Sequence, residues 1–328
     1  MQNPASTSIP DASQMAAKLS SSLQFLDAQR LVYAKKAQTG MFVGLGVFAV
    51  GAVLTLIMNW GVVFLLIPLA IGAVIWGWMA SSARSAYSKE FKVLVMPTLV
   101  SQFGNLTYQD APGLSEGDFI AANLFSRPDR YNSEDLIQGH VGATRLRMSE
   151  VHAEERYQTT DSEGRSRTEY RDIFKGMMFI FDFNKSFAGQ TYVMPEDITG
   201  SLGNFGKMFQ RMGAKMTGRG QLVQLEDPEF ERLFKVDSTD QVEARYILSS
   251  ALMRRLVDLR TRQNNTVAAA FSGGQMYLML AKRDNWFEAP PMNTPLDMNA
   301  LGTTLHQLSL ATGIVHDLDL NTRIWSKQ

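Results

Sequence analysis

The hydrophobic pattern of the chain is dominated by one long stretch without charge. No Asp, Glu, Lys or Arg occurs between residues 37 and 83, and the turn signal Asn59-Trp60-Gly61 divides this stretch in two. A spanning helix needs about 20 apolar residues to cross a hydrocarbon core of roughly 30 Å. The runs 41–58 and 62–79 would each form about 27 Å of helix. The pattern predicts a double-pass transmembrane hairpin over residues 39–82; the alternative is a buried helical hairpin inside a soluble domain.

The charges on either side of the hairpin predict its orientation. Six basic residues flank it, whereas the turn carries no charge: Arg30, Lys35, Lys36, Arg84, Lys89 and Lys92. Basic residues close to a span are retained on the cytoplasmic side. We therefore expect a multi-pass protein of the inner membrane with two spans and with both termini in the cytoplasm. Because no ionisable group lies inside either span, the hairpin is expected to be an anchor that performs no transport.

Small residues indicate how the two helices of the hairpin pack. Gly40 and Gly44 form a GxxxG pair, and Ala73 and Gly77 form a similar small pair. Such spacing allows helix backbones to approach closely. We expect packing within the hairpin; the alternatives are an oligomer interface or no special role for these residues. Pro68 is expected to kink the second helix, because proline removes a backbone hydrogen bond.

The segments beside the hairpin are also assigned from their periodicity. Residues 1–10 are polar without an apolar period, which predicts a disordered tail. Residues 11–38 form a predicted cytoplasmic amphipathic helix, whose apolar positions recur at helical intervals: Met15, Leu19, Leu23 and Leu26. This apolar stripe is expected to dock on the cytoplasmic domain or on the membrane surface, with a coiled-coil partner as a further alternative. Residues 83–110 are predicted to be a helical connector.

The remaining residues, 111–328, alternate between strand and helix patterns. Strand-like apolar runs occupy 136–141, 144–157, 167–183, 190–194, 222–225, 266–271 and 275–281. Helical spacing occupies 118–125, 242–248, 252–259 and 301–308. The turn-forming segment 161–164 predicts a hairpin between two of the strands. The fold class is therefore α+β: a two-helix transmembrane hairpin followed by a cytoplasmic mixed domain with antiparallel strands and amphipathic helices.

A basic stripe runs through the glycine-rich segment 200–220. Its members recur every four residues beside Met and Phe side chains: Lys207, Arg211, Lys215 and Arg219. On a helix close to a membrane, such residues contact anionic lipid headgroups, each contributing about 1 kcal/mol. The alternative is a solvated basic face on an ordinary helix. The stripe is a candidate contact for anionic lipid or for a partner.

Composition excludes several kinds of chemistry. With 32 basic and 32 acidic residues the chain has no net charge, so it lacks the electrostatic footprint of a nucleic-acid-binding protein. Cysteine is absent, which removes thiol nucleophiles, disulfides and cysteine-based zinc sites. The four histidines lack the i, i+4 spacing of a helical metal site and are interpreted as structural: His140, His152, His306 and His316.

An acidic cluster at residues 226–231 could bind a hard cation, but a helix start explains it better. Asp227 fits the N-cap, and Pro228 fits the first helical position. Asp240 and Glu243 repeat this pattern as a capping box for the next helix. We therefore predict no catalytic, cofactor-binding or metal-binding residues, no cofactor and no enzymatic activity.

Four strings carry a resemblance to a known family. They are FKGMMFIFDFNK at 174–185, GQTYV at 189–193, LEDPEFE at 225–231 and DQVEARYIL at 240–248. Over about residues 80–328, together with the preceding anchor, the chain resembles the bacterial membrane-protein family catalogued as domain of unknown function 3137. The signature positions in this sequence are Asp182, Asn184, Glu226, Asp227, Pro228, Asp240, Glu243, Arg245 and Tyr246. The chain departs from the family pattern at Ser249-Ser250, where a proline is expected.

The resemblance implies no activity, cofactor or catalytic residue, because none is established for the family. Its members are often encoded beside proteins of the LemA family, which implies a shared complex. We therefore expect a non-enzymatic, inner-membrane-anchored protein whose cytoplasmic domain binds a protein partner, with a LemA-like membrane protein as the candidate. Membrane lipids and a second copy of the chain are further expected contacts. The alternative function is a membrane-associated enzyme or lipid sensor acting on the cytoplasmic face of the envelope.

Overall fold

The computed structural model describes residues 12–160, 164–183, 185–196, 220–263, 266–282, 284–318 and 320. The chain divides into two compact units. Of the described residues, the stalk unit contains 12–99 and 287–306, and the sheet unit contains those from 100 to 286 and from 307 to 320.

Eight α-helices lie in the described part of the chain. They are α1 (Ala12–Ile57), α2 (Leu66–Leu94), α3 (Met96–Val100), α4 (Glu116–Ala121), α5 (Pro228–Leu233), α6 (Gln241–Ile247), α7 (Ser250–Gln263) and α8 (Gly302–Asp317). Two short 3-10 helices, Val62–Leu65 and Ser101–Phe103, precede α2 and follow α3.

Nine strands form one sheet over the same residues. They are β1 (Asn105–Gln109), β2 (Arg130–Val141), β3 (Thr144–Thr160), β4 (Ser166–Asp182), β5 (Thr191–Pro195), β6 (Gln221–Leu222), β7 (Phe234–Ser238), β8 (Thr266–Ser272) and β9 (Gln275–Ala281). The spatial order is β1-β2-β3-β4-β9-β8-β5-β7-β6, and every pair is antiparallel. Together with the helices, the sheet confirms the predicted α+β fold class.

The two long helices of the stalk unit form the predicted hairpin. Helix α1 ends at Ile57, and Asn59 and Gly61 adopt positive φ angles of 53° and 80° in the turn. In the most apolar 18-residue window, only 17% of the first helix and 11% of the second are buried. A core helix of a soluble protein is mostly buried. Both helices are long and apolar enough to span a membrane.

Glycines on α1 allow α2 to approach closely. A Cβ atom on Gly44 would lie 2.5 Å from the carbonyl oxygen of Gly72, and one on Gly40 would lie 2.7 Å from the Cβ of Met79. The GxxxG pair therefore packs within the hairpin, as predicted. The expected contribution of Gly77 is wrong, because nothing lies within 4 Å of the position its Cβ would occupy.

Pro68 does not interrupt the interior of a helix. It lies in the first turn of α2, where a missing N–H removes no bond that the helix needs. Its ring packs against Gly51 of α1, whose Cβ would lie 2.2 Å from the Cβ of Pro68. The proline therefore serves the contact between the helices, and the kink in the second helix stays a prediction.

The part of α1 before the apolar run is held by contacts inside the stalk unit. Its four periodic apolar side chains are buried: Met15, Leu19, Leu23 and Leu26. Arg30, which is also buried, forms a 2.7 Å ion pair with Asp27 one helical turn earlier. The stalk unit also includes Phe287–His306, although the sequence predicted a single domain over 111–328.

The sheet unit has a core on one face of the sheet. Aromatic side chains from the segment around α4 pack against β3, β4 and β5, with Phe119, Phe174 and Tyr192 fully buried. The structure changes some predicted boundaries: residues 105–109, inside the predicted helical connector, form β1, and β7 was not predicted. Helix α4 begins two residues before the predicted segment, because Ser115 and Asp118 form a capping box.

Candidate functional site

The family-signature residues on α6 fasten the helix to a neighbouring loop. The Asp240 side chain accepts hydrogen bonds from the N–H groups of Val242 and Glu243, at 2.8 and 3.0 Å. The Glu243 carboxylate accepts from the N–H groups of Ala188 and Gly189, at 3.0 and 2.6 Å. The predicted N-cap role of Asp240 is confirmed. The predicted capping box is wrong for Glu243, because its carboxylate bonds to a loop 54 to 55 residues earlier in the chain and not to the start of its own helix.

Two cations tie α6 to its surroundings: Lys185 binds the end of the helix, and Arg245, within the helix, reaches a neighbouring segment. Lys185 donates to the carbonyl oxygens of Tyr246 and Ile247, and its Nζ atom lies 4.8 Å from the centre of the Tyr246 ring. Burial lowers the pKa of Lys185. Arg245 donates to the carbonyl oxygen of Gln224 at 3.3 Å. These cations satisfy carbonyl groups, which is a structural role.

The other signature residues also act on the backbone where the structure describes them. Asp227 caps α5 by accepting from Glu229 and Phe230, each at 3.1 Å, with Pro228 at its first position, as predicted. Asp182 accepts from the Arg145 N–H at 2.9 Å. Of the remaining two positions, Glu226 is exposed, and Asn184 lies outside the described residues.

The predicted basic stripe also lies outside the described residues. Its four members are Lys207, Arg211, Lys215 and Arg219, within the undescribed range 197–219. Lipid or partner contact by this stripe stays a prediction.

An open cavity of about 430 Å³ lies beside β6 and β7. Its ionisable lining residues are Glu196, Glu231 and Lys235. Glu231 is already engaged, because its Oε1 atom accepts from the Leu225 N–H at 2.8 Å. The cavity brings together none of the carboxylates Asp182, Glu226 and Asp240, and no histidine lines it.

Strand β2 contains a buried carboxylate at an irregularity in its pairing. Asp135 is fully buried with a φ of 59°, where the pairing with β3 shifts between Glu134 and Ile137. It accepts a hydrogen bond from the Tyr108 hydroxyl of β1, and burial together with this carboxylate raises the pKa of Tyr108. The pair joins β1 to β2.

The longest strands extend beyond their neighbours as a two-stranded arm. The β2–β3 ladder ends where Arg130 opposes Glu154, and the β4–β9 ladder ends where Gly176 opposes Ala281. Residues 155–160 and 166–171 pair only with each other over the described range. We call these two segments the β3–β4 arm.

Side chains along the arm pair across its two strands. Arg171 forms a 2.8 Å ion pair with Glu155, and its guanidinium lies 5.0 Å from the centre of the Tyr157 ring. The Tyr157 hydroxyl donates to Glu169 at 2.7 Å. An isolated two-stranded hairpin is only marginally stable in water, so these pairs support the arm where the sheet does not.

At the base of the arm, three potential metal ligands come together. The nearest ligand atoms of His152, Glu154 and Asp172 all lie within 4.8 Å of one another. From the sequence, His152 was interpreted as structural, and no metal ligand was predicted. The available signal was the spacing His152-x-Glu154, which places both side chains on one face of a strand. Asp172 joins them through the register of β4, which the sequence does not display.

These features define an α+β protein with a nine-stranded antiparallel sheet and two helices that are long and apolar enough to span a membrane. Residues 172–320 match a family model described as Protein of unknown function (DUF3137). The predicted resemblance to this family is thus confirmed over those residues. No curated protein and no protein of solved structure matches the chain. The matched range includes Asp172 but neither the two long helices nor His152 and Glu154.

Proposed function

We propose that this chain is a non-enzymatic membrane-anchored protein whose sheet unit binds a protein partner through the β3–β4 arm. The two apolar helices would anchor it in the bacterial inner membrane, with both termini in the cytoplasm. The partner we favour is a LemA-like membrane protein. The observation that carries the proposal is the arm, whose strands lack any further strand beside them in the described part of the chain.

The arm offers the residue types that carry energy in protein interfaces. Tyrosine and arginine are enriched among interface hot spots, and the arm displays Arg156, Tyr157, Tyr170 and Arg171. In the described part of the chain no further strand pairs with either edge of the arm, and natural proteins normally protect such edges with charge or with a covering element. Charged side chains keep the free arm soluble, and a partner can pair with the edge.

The experiment is co-purification of the full-length protein with a co-expressed LemA-family protein from the same genome, in mild detergent. A shortened arm, in which residues 156–170 are replaced by Asn-Gly, should lose the partner while the Glu155–Arg171 pair closes a two-residue turn. The matched control changes exposed apolar residues away from the arm, Leu222→Ala on β6 with Val242→Ala on α6, and should retain it. Circular dichroism and thermal unfolding confirm that each variant folds.

A milder variant, Arg156→Glu with Arg167→Glu, tests the same surface without shortening the chain. Both side chains are exposed, so their reversal should weaken partner recovery without unfolding the protein. Wild-type protein that purifies without a partner would contradict the proposed function. Full retention by both arm variants would show that the partner binds elsewhere.

The enzyme and lipid-sensor alternatives have less support. Asp182 and Asp240 accept hydrogen bonds from backbone N–H groups, Glu226 is exposed, and none of these three carboxylates lines the 430 Å³ cavity. The lipid-sensor alternative depends on the stripe at residues 207–219, which lies outside the described range. Neither alternative requires the arm, so the shortened-arm variant separates them from partner binding.

A further inference from the structure

We propose that His152, Glu154 and Asp172 form a binding site for one divalent transition-metal ion at the base of the β3–β4 arm. The proposal does not depend on the partner that the arm binds. The His152 Nε2 and Asp172 Oδ1 atoms are already 2.7 Å apart, and the whole set of ligand atoms lies within 4.8 Å. Small rotations of three surface side chains would bring these atoms around a common centre.

The sheet itself places the three side chains together. His152 and Glu154 are two residues apart on β3, so both point to the same face. Asp172 lies directly opposite Glu154 in the register of β3 and β4. Side chains opposite one another on adjacent strands have Cβ atoms about 5 Å apart, which is close enough to share an ion.

A β-bulge decides which face Asp172 occupies. The register shifts at Ala153/Glu154, and Ile173 is the unpaired residue on β4. Both Ile173 and Phe174 belong to the hydrophobic core on the other face. With regular alternation Asp172 would follow Phe174 toward that core, but the extra residue turns it to the face of His152 and Glu154.

The charges around the cluster favour an added cation. Two like charges directly opposite on a sheet destabilise the pairing, and Glu154 opposes Asp172 in this way. Arg130, across from Glu154 on β2, places its guanidinium 3.3 Å from the centre of the Tyr170 ring. Glu154 forms no ion pair within the described residues. Two further basic residues neighbour the cluster in the register and limit the affinity: Lys175 lies opposite His152, and Arg156 follows Glu154 by two residues on the same face of β3.

The donor set suits a metal of intermediate softness. One imidazole nitrogen and two carboxylate oxygens are typical ligands of Zn²⁺, Co²⁺, Mn²⁺ and Fe²⁺, whereas Ca²⁺ and Mg²⁺ prefer oxygen ligands alone. The partial exposure of His152 and Asp172 leaves room for water in the remaining coordination positions. Metal binding would displace any proton on Nε2 and would replace the His152–Asp172 contact with two bonds to the ion.

The test measures metal binding by the full-length protein in detergent, prepared without a polyhistidine tag. Isothermal titration with Zn²⁺, and the visible absorption of Co²⁺, should each show one saturable site that EDTA reverses. Removing a residue that only supports a metal ligand weakens metal affinity by roughly 10- to 100-fold. His152→Ala removes a ligand itself and should therefore weaken Zn²⁺ binding by more than this. The matched control is His140→Ala, which removes an exposed histidine from β2 and should leave the affinity unchanged.

Two further variants distinguish the loss of a metal ligand from a defect in folding. Glu154→Gln and Asp172→Asn keep side-chain size and should each weaken Zn²⁺ binding while circular dichroism stays unchanged. Saturating Zn²⁺ should raise the melting temperature of the wild type and not that of His152→Ala. Absence of a saturable site in the wild type would overturn the proposal. Equal binding by the wild type and His152→Ala would also overturn it, since the ion would then be held elsewhere.

Discussion

Arg30 donates a hydrogen bond of 2.7 Å from Nη1 to the main-chain carbonyl oxygen of Met292, although 262 positions separate the two residues. The Nε atom of Arg30 also contacts Asp27, and the same Asp27 oxygen accepts from the Leu296 N–H at 2.8 Å. One ion pair on α1 therefore binds two backbone groups of the segment 287–306. This segment belongs to the stalk unit although it lies far from α1 in the chain.

Replacing Arg30 should release the segment 287–306. We expect Arg30→Met to destabilise this contact by about 1 to 3 kcal/mol, because a charged hydrogen bond inside the protein is lost. Hydrogen-exchange mass spectrometry should show faster exchange of the Leu296 amide. Lys35→Met, an exposed change on the same helix, is the control and should leave that exchange unaltered. Equal protection in both variants would show that the ion pair does not hold the segment.

Enlarging a glycine at the contact between α1 and α2 should destabilise the hairpin. Gly44→Leu forces a side chain against the backbone of Gly72, and overpacking of this kind costs about 1 to 3 kcal/mol. Gly46→Leu on the same helix meets nothing within 4 Å and serves as the matched control. Thermal unfolding in detergent should show a lower melting temperature for the first variant alone. Similar values for the two variants would argue against the helix contact.

The predicted topology can be tested by cysteine labelling, because the natural chain contains no cysteine. A membrane-impermeant maleimide should label Asn59→Cys in intact cells, since the turn is expected on the far side of the membrane. Thr160→Cys, on the exposed arm, should be labelled only after permeabilisation. The reverse pattern would mean that both termini lie outside the cytoplasm.

Acid should weaken the cap of α4. Burial raises the pKa of Asp118, but hydrogen bonds from Arg147 and Ser115 outweigh it, and the net pKa lies below 3.8. The carboxylate therefore stabilises the fold above its unfolded pKa, and this contribution is lost as the pH falls through the lower folded value. Asp118→Asn should lower stability at pH 7 and flatten its dependence below about pH 4. Urea unfolding at several pH values measures the stability at pH 7 and its pH dependence. Asp284→Asn, a change at an exposed position, is the control and should alter neither.

The sequence predicted the features that depend on neighbouring residues. The caps Asp227 and Asp240 were predicted from side-chain type and spacing, because an N-cap bonds to backbone groups only two or three residues away. The hairpin turn was likewise predicted from the polar break Asn59-Trp60-Gly61, and in the structure Asn59 and Gly61 adopt the positive φ angles that a turn requires. Strand β1 was missed, because its pairing partner on β2 lies about 30 residues later.

The candidate site depended on information that local patterns do not contain. His152 and Glu154 could be placed on one strand face, but the position of Asp172 depends on the register of β4 and on the bulge at Ile173. The sequence predicted a hairpin at the arm. It could not show that the hairpin extends beyond its neighbouring strands, because that depends on where β2 and β9 end. For the same reason the contact from Arg30 to Met292 has no signature in the sequence.

Composition and spacing alone determined that the chain has two apolar helices, an α+β domain and capped helix starts. Each of these follows from the free energy of burying apolar groups or satisfying backbone groups within a few residues. The tertiary structure alone decided which glycines meet across the hairpin, which strands end early, and which side chains gather at the base of the arm. Those outcomes depend on contacts between residues far apart in the chain, and register shifts of a single residue are enough to change them.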